Sequence, residues 1–188
     1  MRELSLHILD VLENSVEAGA TRIELIITED LPADRLTIQV KDNGRGMGPE
    51  LLRNVLNPFV TTRKTRHVGL GLPLFAAAAQ RCNGSLVVES QQGVGTVVTA
   101  SFQHSHVDRA PLGDLTGALM GILMAERPCD LAVTHRVDGR TFEFDTADIR
   151  RELGDVPLSY PSVREWLREM IAQGEAELRG SGTSSATA

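Results

Sequence analysis

The chain has 188 residues, 41% hydrophobic and 23% charged, which suits one domain of ordinary size or one domain with an appendix. A formal charge of -6 and a pI near 5.4 exclude a general attraction for nucleic acid or anionic membrane, so any phosphate chemistry must be local. Two cysteines without metal-ligand spacing, an N-terminus unlike a signal peptide and no apolar run of membrane-spanning length point to a cytoplasmic protein.

Residues 3–18 predict an amphipathic helix, with Leu4, Ile8, Leu9, Val11, Leu12, Ser15 and Val16 on one arc and Glu3, His7, Asp10, Asn14 and Glu17 opposite. Thr21 to Thr28 and Leu36 to Val40 alternate as antiparallel strands about a turn at Pro32. A short helix opened by Pro49 follows, then a basic, Thr-rich stretch over 57–67, then a helix opened by Gly69-Leu70-Gly71-Leu72-Pro73 and running to about Arg81. Ser85 to Ser90 and Thr96 to Gln103 read as two further strands. Beyond them lie a helix over Leu112 to Ala125, a hairpin around Asp138-Gly139, and helices over Thr146 to Leu153 and Ser162 to Leu178. The tail, 180–188, is Gly, Ser, Thr and Ala, a disordered composition.

The stretch Lys41-Asp42-Asn43-Gly44-Arg45-Gly46-Met47 carries the clearest chemistry. Asp42 ends a strand and can only accept hydrogen bonds at neutral pH, while Gly44 and Gly46 permit positive φ and close approach. A planar ring with an exocyclic amine fits such a receptor. Asn-Gly is equally a hairpin signal, and these residues alone leave both readings open.

Five blocks in order decide between them: Glu13-Asn14, Asp42 to Met47, Pro58 to Thr62, Gly69 to Leu72, and Gly93-Val94-Gly95-Thr96. Together they resemble the ATP-binding domain of the GHKL superfamily, which takes in gyrase, Hsp-type chaperones, histidine kinases and MutL. The resemblance covers residues 3 to about 103. It implies a two-layer α/β sandwich (α+β) with a mixed, mainly antiparallel sheet covered by helices. It divides the chain into an ATP-binding domain over 1–103, a small α+β extension over 104–179 and the tail. The extension is expected to pack on that sheet or against a partner.

The resemblance also implies roles. Asn14 would present its amide oxygen to Mg2+. Asp42 would accept from the adenine amine with Thr96 supporting the ring edge, and Gly44, Gly46 and Met47 would line the base. Gly69, Leu70 and Gly71, at a helix N-terminus, would offer backbone N–H groups to the phosphates. Thr62 and Lys64, with Arg63, Arg66 and His67, would belong to a lid over 57–68 that closes on ATP. Asp10, one turn before Asn14, stands where related ATPases carry a Glu that activates water. Being shorter by one CH2, it is read as a general base or as a structural neighbour; Glu13, turned away, is the weaker candidate, and His7 is read as solvated or structural.

Two departures shape the expected function. Histidine kinases place a phosphoacceptor His on helices ahead of this domain, so any acceptor is expected in trans, on another chain. Gyrase and MutL use a later lysine on the γ-phosphate, and no Lys follows Lys64. The expectation is a Mg-ATP-binding protein, a slow ATPase or nucleotide switch acting on a protein partner, with a possible homodimer. The alternatives are a kinase acting on a Ser or His of a partner and a binding module without turnover.

Overall fold

The computed structural model describes residues 3–57, 70–125 and 129–180. The element order is α1 (Leu4–Glu17), β1 (Arg22–Asp30), β2 (Arg35–Asp42), α2 (Pro49–Arg53), α3 (Gly71–Arg81), β3 (Ser85–Gln91), β4 (Gly95–Gln103), α4 (Leu115–Leu123), β5 (Asp130–Val137), β6 (Arg140–Asp145), α5 (Thr146–Leu153) and α6 (Pro161–Gly180). The strands form a six-stranded sheet in the order β3-β4-β2-β1-β5-β6. Every pairing is antiparallel except β1 with β5. This is the mixed, mainly antiparallel α+β sheet expected from the sequence.

Alternation of apolar residues along each strand puts one face of the sheet against the helices. Register then stacks those inward residues into rows across the strands. One row runs Val88, Val98, Val40, Leu25, Val133, Phe144. The next runs Leu86, Ala100, Ile38, Ile27, His135, Phe142. Leu25, Ile27, Ile38 and Ala100 are closed to solvent, and each fully buried aliphatic side chain contributes about 1.5–3 kcal/mol. At one end the rows terminate in Ser90, Thr96 and Asp42, polar residues that continue the same inward alternation.

α1 is buried on two sides, because α3 and α4 both pack on it. His7, placed on the polar side by sequence, is therefore only 3% exposed and stacks on Phe75 of α3 with ring centroids 4.9 Å apart. Gly19, at φ +78, ends the helix and turns the chain into β1. The alanine run of α3 favours helix, its Phe75, Ala76 and Ala79 are buried, and Pro73 is accommodated in its first turn.

The residues after 104 do not stand off from the sheet. β5 lies alongside β1, β6 closes that edge through the Asp138-Gly139 turn, and α4 and α6 prolong the helical layer. The physical reason is β1 itself, whose second edge needs a partner and whose inward residues are matched by Leu131, Val133, His135 and Val137. Arg22 clamps the join with a bidentate pair to Asp145, at 2.6 and 3.0 Å. No helix among the described residues is long and apolar enough to cross a membrane.

Candidate functional site

Asp42 ends β2 with its carboxylate turned towards α1. Ser15 donates to Oδ2 at 2.8 Å, and the amide of Gly44 donates to Oδ1 at 2.8 Å. Each oxygen thus holds one donor from the described residues and keeps acceptor capacity for another. Ser15 is the polar member of an otherwise apolar arc and is 3% exposed. Its hydroxyl also lies 3.2 Å from the Val11 carbonyl one turn back, but with one proton to give, the shorter contact to Asp42 takes it and fixes the carboxylate against the helix.

Beside Asp42, in register on β4, is Thr96, and beyond it Ser90 on β3. The Ser90 hydroxyl lies 2.9 Å from that of Thr96 and accepts from the Met47 amide at 2.8 Å. The loop after β2 is tied down further by Arg45, whose amide donates to the Ala18 carbonyl at 2.9 Å. Asn43 does not form a hairpin. Its side-chain oxygen instead accepts from the amides of Thr21 and Arg22, both at 2.9 Å, and locks the entry to β1.

The glycines have an internal reason as well as the expected external one. A Cβ on Gly46, at φ +63, would fall 2.0 Å from the Gln91 carbonyl oxygen, and one on Gly44 would fall 2.9 Å from Ala18 Cβ. Both positions therefore bring the loop onto β3 and the end of α1. One turn before Asn14 on α1, Asp10 faces the start of α3: a Cβ on Gly71 would lie 3.4 Å from its Oδ2. Leu70 precedes that helix as an N-cap without a side-chain hydrogen bond. Asp10, Ser15, Asp42, Thr96 and Gly71 thus gather around α1, the sheet end and the α3 N-terminus, with Asn14 one turn along α1 from Asp10.

A sequence profile of the family described as histidine kinase-, DNA gyrase B- and HSP90-like ATPase matches residues 2–106. The chain belongs to this ATP-binding family. Sporulation kinase C of Bacillus subtilis is 34% identical over 89 residues, 47% of this chain and 21% of that protein. The tetrathionate sensor histidine kinase TtrS of Salmonella typhimurium is 32% identical over 112 residues, 57% of this chain and 18% of that protein. The chain therefore spans about a fifth of the length of these relatives. A solved structure of the N-terminal domain of a DNA repair protein shares the fold at a TM-score of 0.51 and 17% identity, over 76% of this chain and 52% of that one.

Within the ATP-binding family's site, the described residues are compatible with a nucleotide and a hard cation. Asp42 retains acceptor capacity at the sheet end, and an acid and an amide lie on one face of α1. No group of three or more His, Cys, Asp or Glu among the described residues could hold a metal by itself. Mg2+ does not need one, since it takes one or two protein oxygens and completes its shell with phosphates and water. Thr62, Lys64 and Gly69, and Arg63, Arg66 and His67, lie outside the described residues, as do the other residues of 58–69 and the tail from 181. Burial drives the His7 imidazole down to about 4, leaving it neutral at pH 7. Sequence reasoning passed over Ser90 and the anchoring role of Ser15. Both sit at inward positions of apolar patterns, and that was the available signal.

Proposed function

We propose that this ATP-binding chain is a Mg-ATP-driven switch with slow ATPase turnover, acting in the cytoplasm on a protein partner. The carboxylate of Asp42, held by Ser15 and Gly44 beside Thr96, supports this most directly. An acceptor so fixed can read the adenine amine without losing entropy on binding. Asn14 would supply an amide oxygen to Mg2+, and the first turn of α3 would meet the phosphates with its backbone N–H groups. When bound, Mg2+ neutralises phosphate charge and polarises the terminal phosphoryl group. Asp10, which packs near Gly71, would orient a water at the α3 N-terminus and take its proton. Closure of 57–68 over the nucleotide would convert nucleotide state into surface shape.

Titration calorimetry with ATP, ADP and a nonhydrolysable ATP analogue, with and without Mg2+, tests the binding; phosphate release on the same sample tests turnover. Magnesium-dependent binding with slow release is expected, and Asp10→Asn should keep binding while slowing release. No binding at millimolar nucleotide would overturn the proposal. The kinase names of the similar proteins favour one second reading, phosphoryl transfer to a Ser or His of a partner. Label from γ-phosphate appearing on a partner chain, in place of free phosphate, would decide for it.

A further inference from the structure

Ser90 closes the inward face of β3, next to Thr96, which is itself in register with Asp42. Three groups meet its hydroxyl oxygen. The Met47 amide donates to it at 2.8 Å, the Gly95 carbonyl oxygen is 2.9 Å away, and the Thr96 hydroxyl is 2.9 Å away. A serine hydroxyl has one proton to give and two lone pairs to fill. The Met47 amide occupies one lone pair. The Gly95 carbonyl can only accept, so it takes the Ser90 proton. What remains for the Thr96 hydroxyl is to donate into the second lone pair.

With that arrangement every hydrogen-bonding position of Ser90 is used, and so is the only proton Thr96 has. Thr96 Oγ1 can then offer a ligand nothing but lone pairs. Asp42 is also acceptor-only, with Gly44 and Ser15 each filling one position on its two oxygens. The edge of the site at the sheet end is thus two adjacent acceptors without a donor between them. We propose that Ser90 is a positioning residue that fixes the polarity of Thr96 and so selects a purine bearing an amine, not a carbonyl, at position 6. This role rests on the adenine placement proposed above. Without the Ser90 hydroxyl, Thr96 is free to turn its proton to the ligand, and a carbonyl at position 6 is disfavoured by Asp42 alone.

The test is titration of the unaltered chain, Ser90→Ala, Ser90→Thr and Thr96→Val, and of the double variant, with ATP and with inosine triphosphate, which carries a carbonyl at position 6. The unaltered chain should prefer ATP. Ser90→Ala should lower the ratio of the two affinities about tenfold, the worth of one ordinary hydrogen bond, and Ser90→Thr should restore it. In the Thr96→Val background, Ser90→Ala should leave the ratio unchanged, since Ser90 acts through Thr96. Equal losses for both nucleotides in Ser90→Ala would reduce Ser90 to a tether for Met47 and overturn the inference. So would a change of ratio that persists without Thr96. If the unaltered chain binds neither nucleotide, the ATP proposal falls with it; if it binds ATP and only the ratios fail to move, Ser90 alone is misassigned.

Discussion

The helix-facing side of the sheet carries a polar cluster at each end, and the two are built to opposite rules. At one end Asp42 holds two donors and keeps acceptor capacity beyond them. At the other, His135 is fully buried, with Nδ1 2.9 Å from Glu175 and Nε2 3.1 Å from Glu29. Glu29 in turn lies 2.7 Å from Nε2 of His104, and Arg179 lies 3.8 Å from Glu175. Burial alone would lower the His135 pKa, but the carboxylates of Glu175 and Glu29 outweigh it and raise it to about 9. Glu29 is drawn down to about 2, chiefly by its bond to His135 and against its own burial, with His104 adding to the effect. The saturated cluster pins α6 and β5 to β1; the unsaturated one keeps acceptor capacity for the nucleotide proposed above. Polarity in a core is therefore not what marks a site, and unmet hydrogen-bonding capacity is the better guide.

Breaking each end separately should give opposite signatures. His135→Ala leaves two carboxylates facing each other in the core and should cost about 3–5 kcal/mol in urea unfolding, with ATP affinity of the folded protein nearly unchanged. The raised pKa of His135 means its stabilisation is complete below its ordinary value of 6.5 and is lost as pH rises through about 9. Stability to urea should accordingly fall by about 3 kcal/mol between those limits, and His135→Gln should flatten the slope. At the other end the order reverses. Asp42→Asn should weaken ATP binding about ten- to a hundredfold in calorimetry, while stability shifts by less than about 1 kcal/mol. Ser15→Ala, which removes one donor from Asp42, should cost about fivefold in ATP affinity.

Much of the candidate site was legible in the sequence because its residues are local to short motifs. Asp42 and Gly44 lie two residues apart, Asp10 and Asn14 one helical turn apart, and the α3 start is marked by its own glycines. Asn43-Gly44 shows where local signals mislead: its turn chemistry is real, but the Asn side chain caps β1 and makes no hairpin. For His7 the structural of the two readings holds; its burial was not legible because helical periodicity describes one buried arc and α1 has two packing partners. The Glu29–His135–Glu175 cluster was not read because its members come from β1, β5 and α6 and meet only through register. The trace in the sequence was slight, a His where Leu131, Val133 and Val137 set an apolar alternation.

The parallel pairing of β1 with β5 joins Arg22 to Asp130, strand partners about a hundred residues apart in the chain. During synthesis β1 can zip to β2 at once, but its other edge waits until β5, about a hundred residues later, has emerged. Native topology is thus completed late, by a long-range closure that slows folding and leaves a strand edge open to wrong partners meanwhile. A fragment stopped where the family match ends, at residue 106, would keep that edge for good and should aggregate more readily than the whole chain.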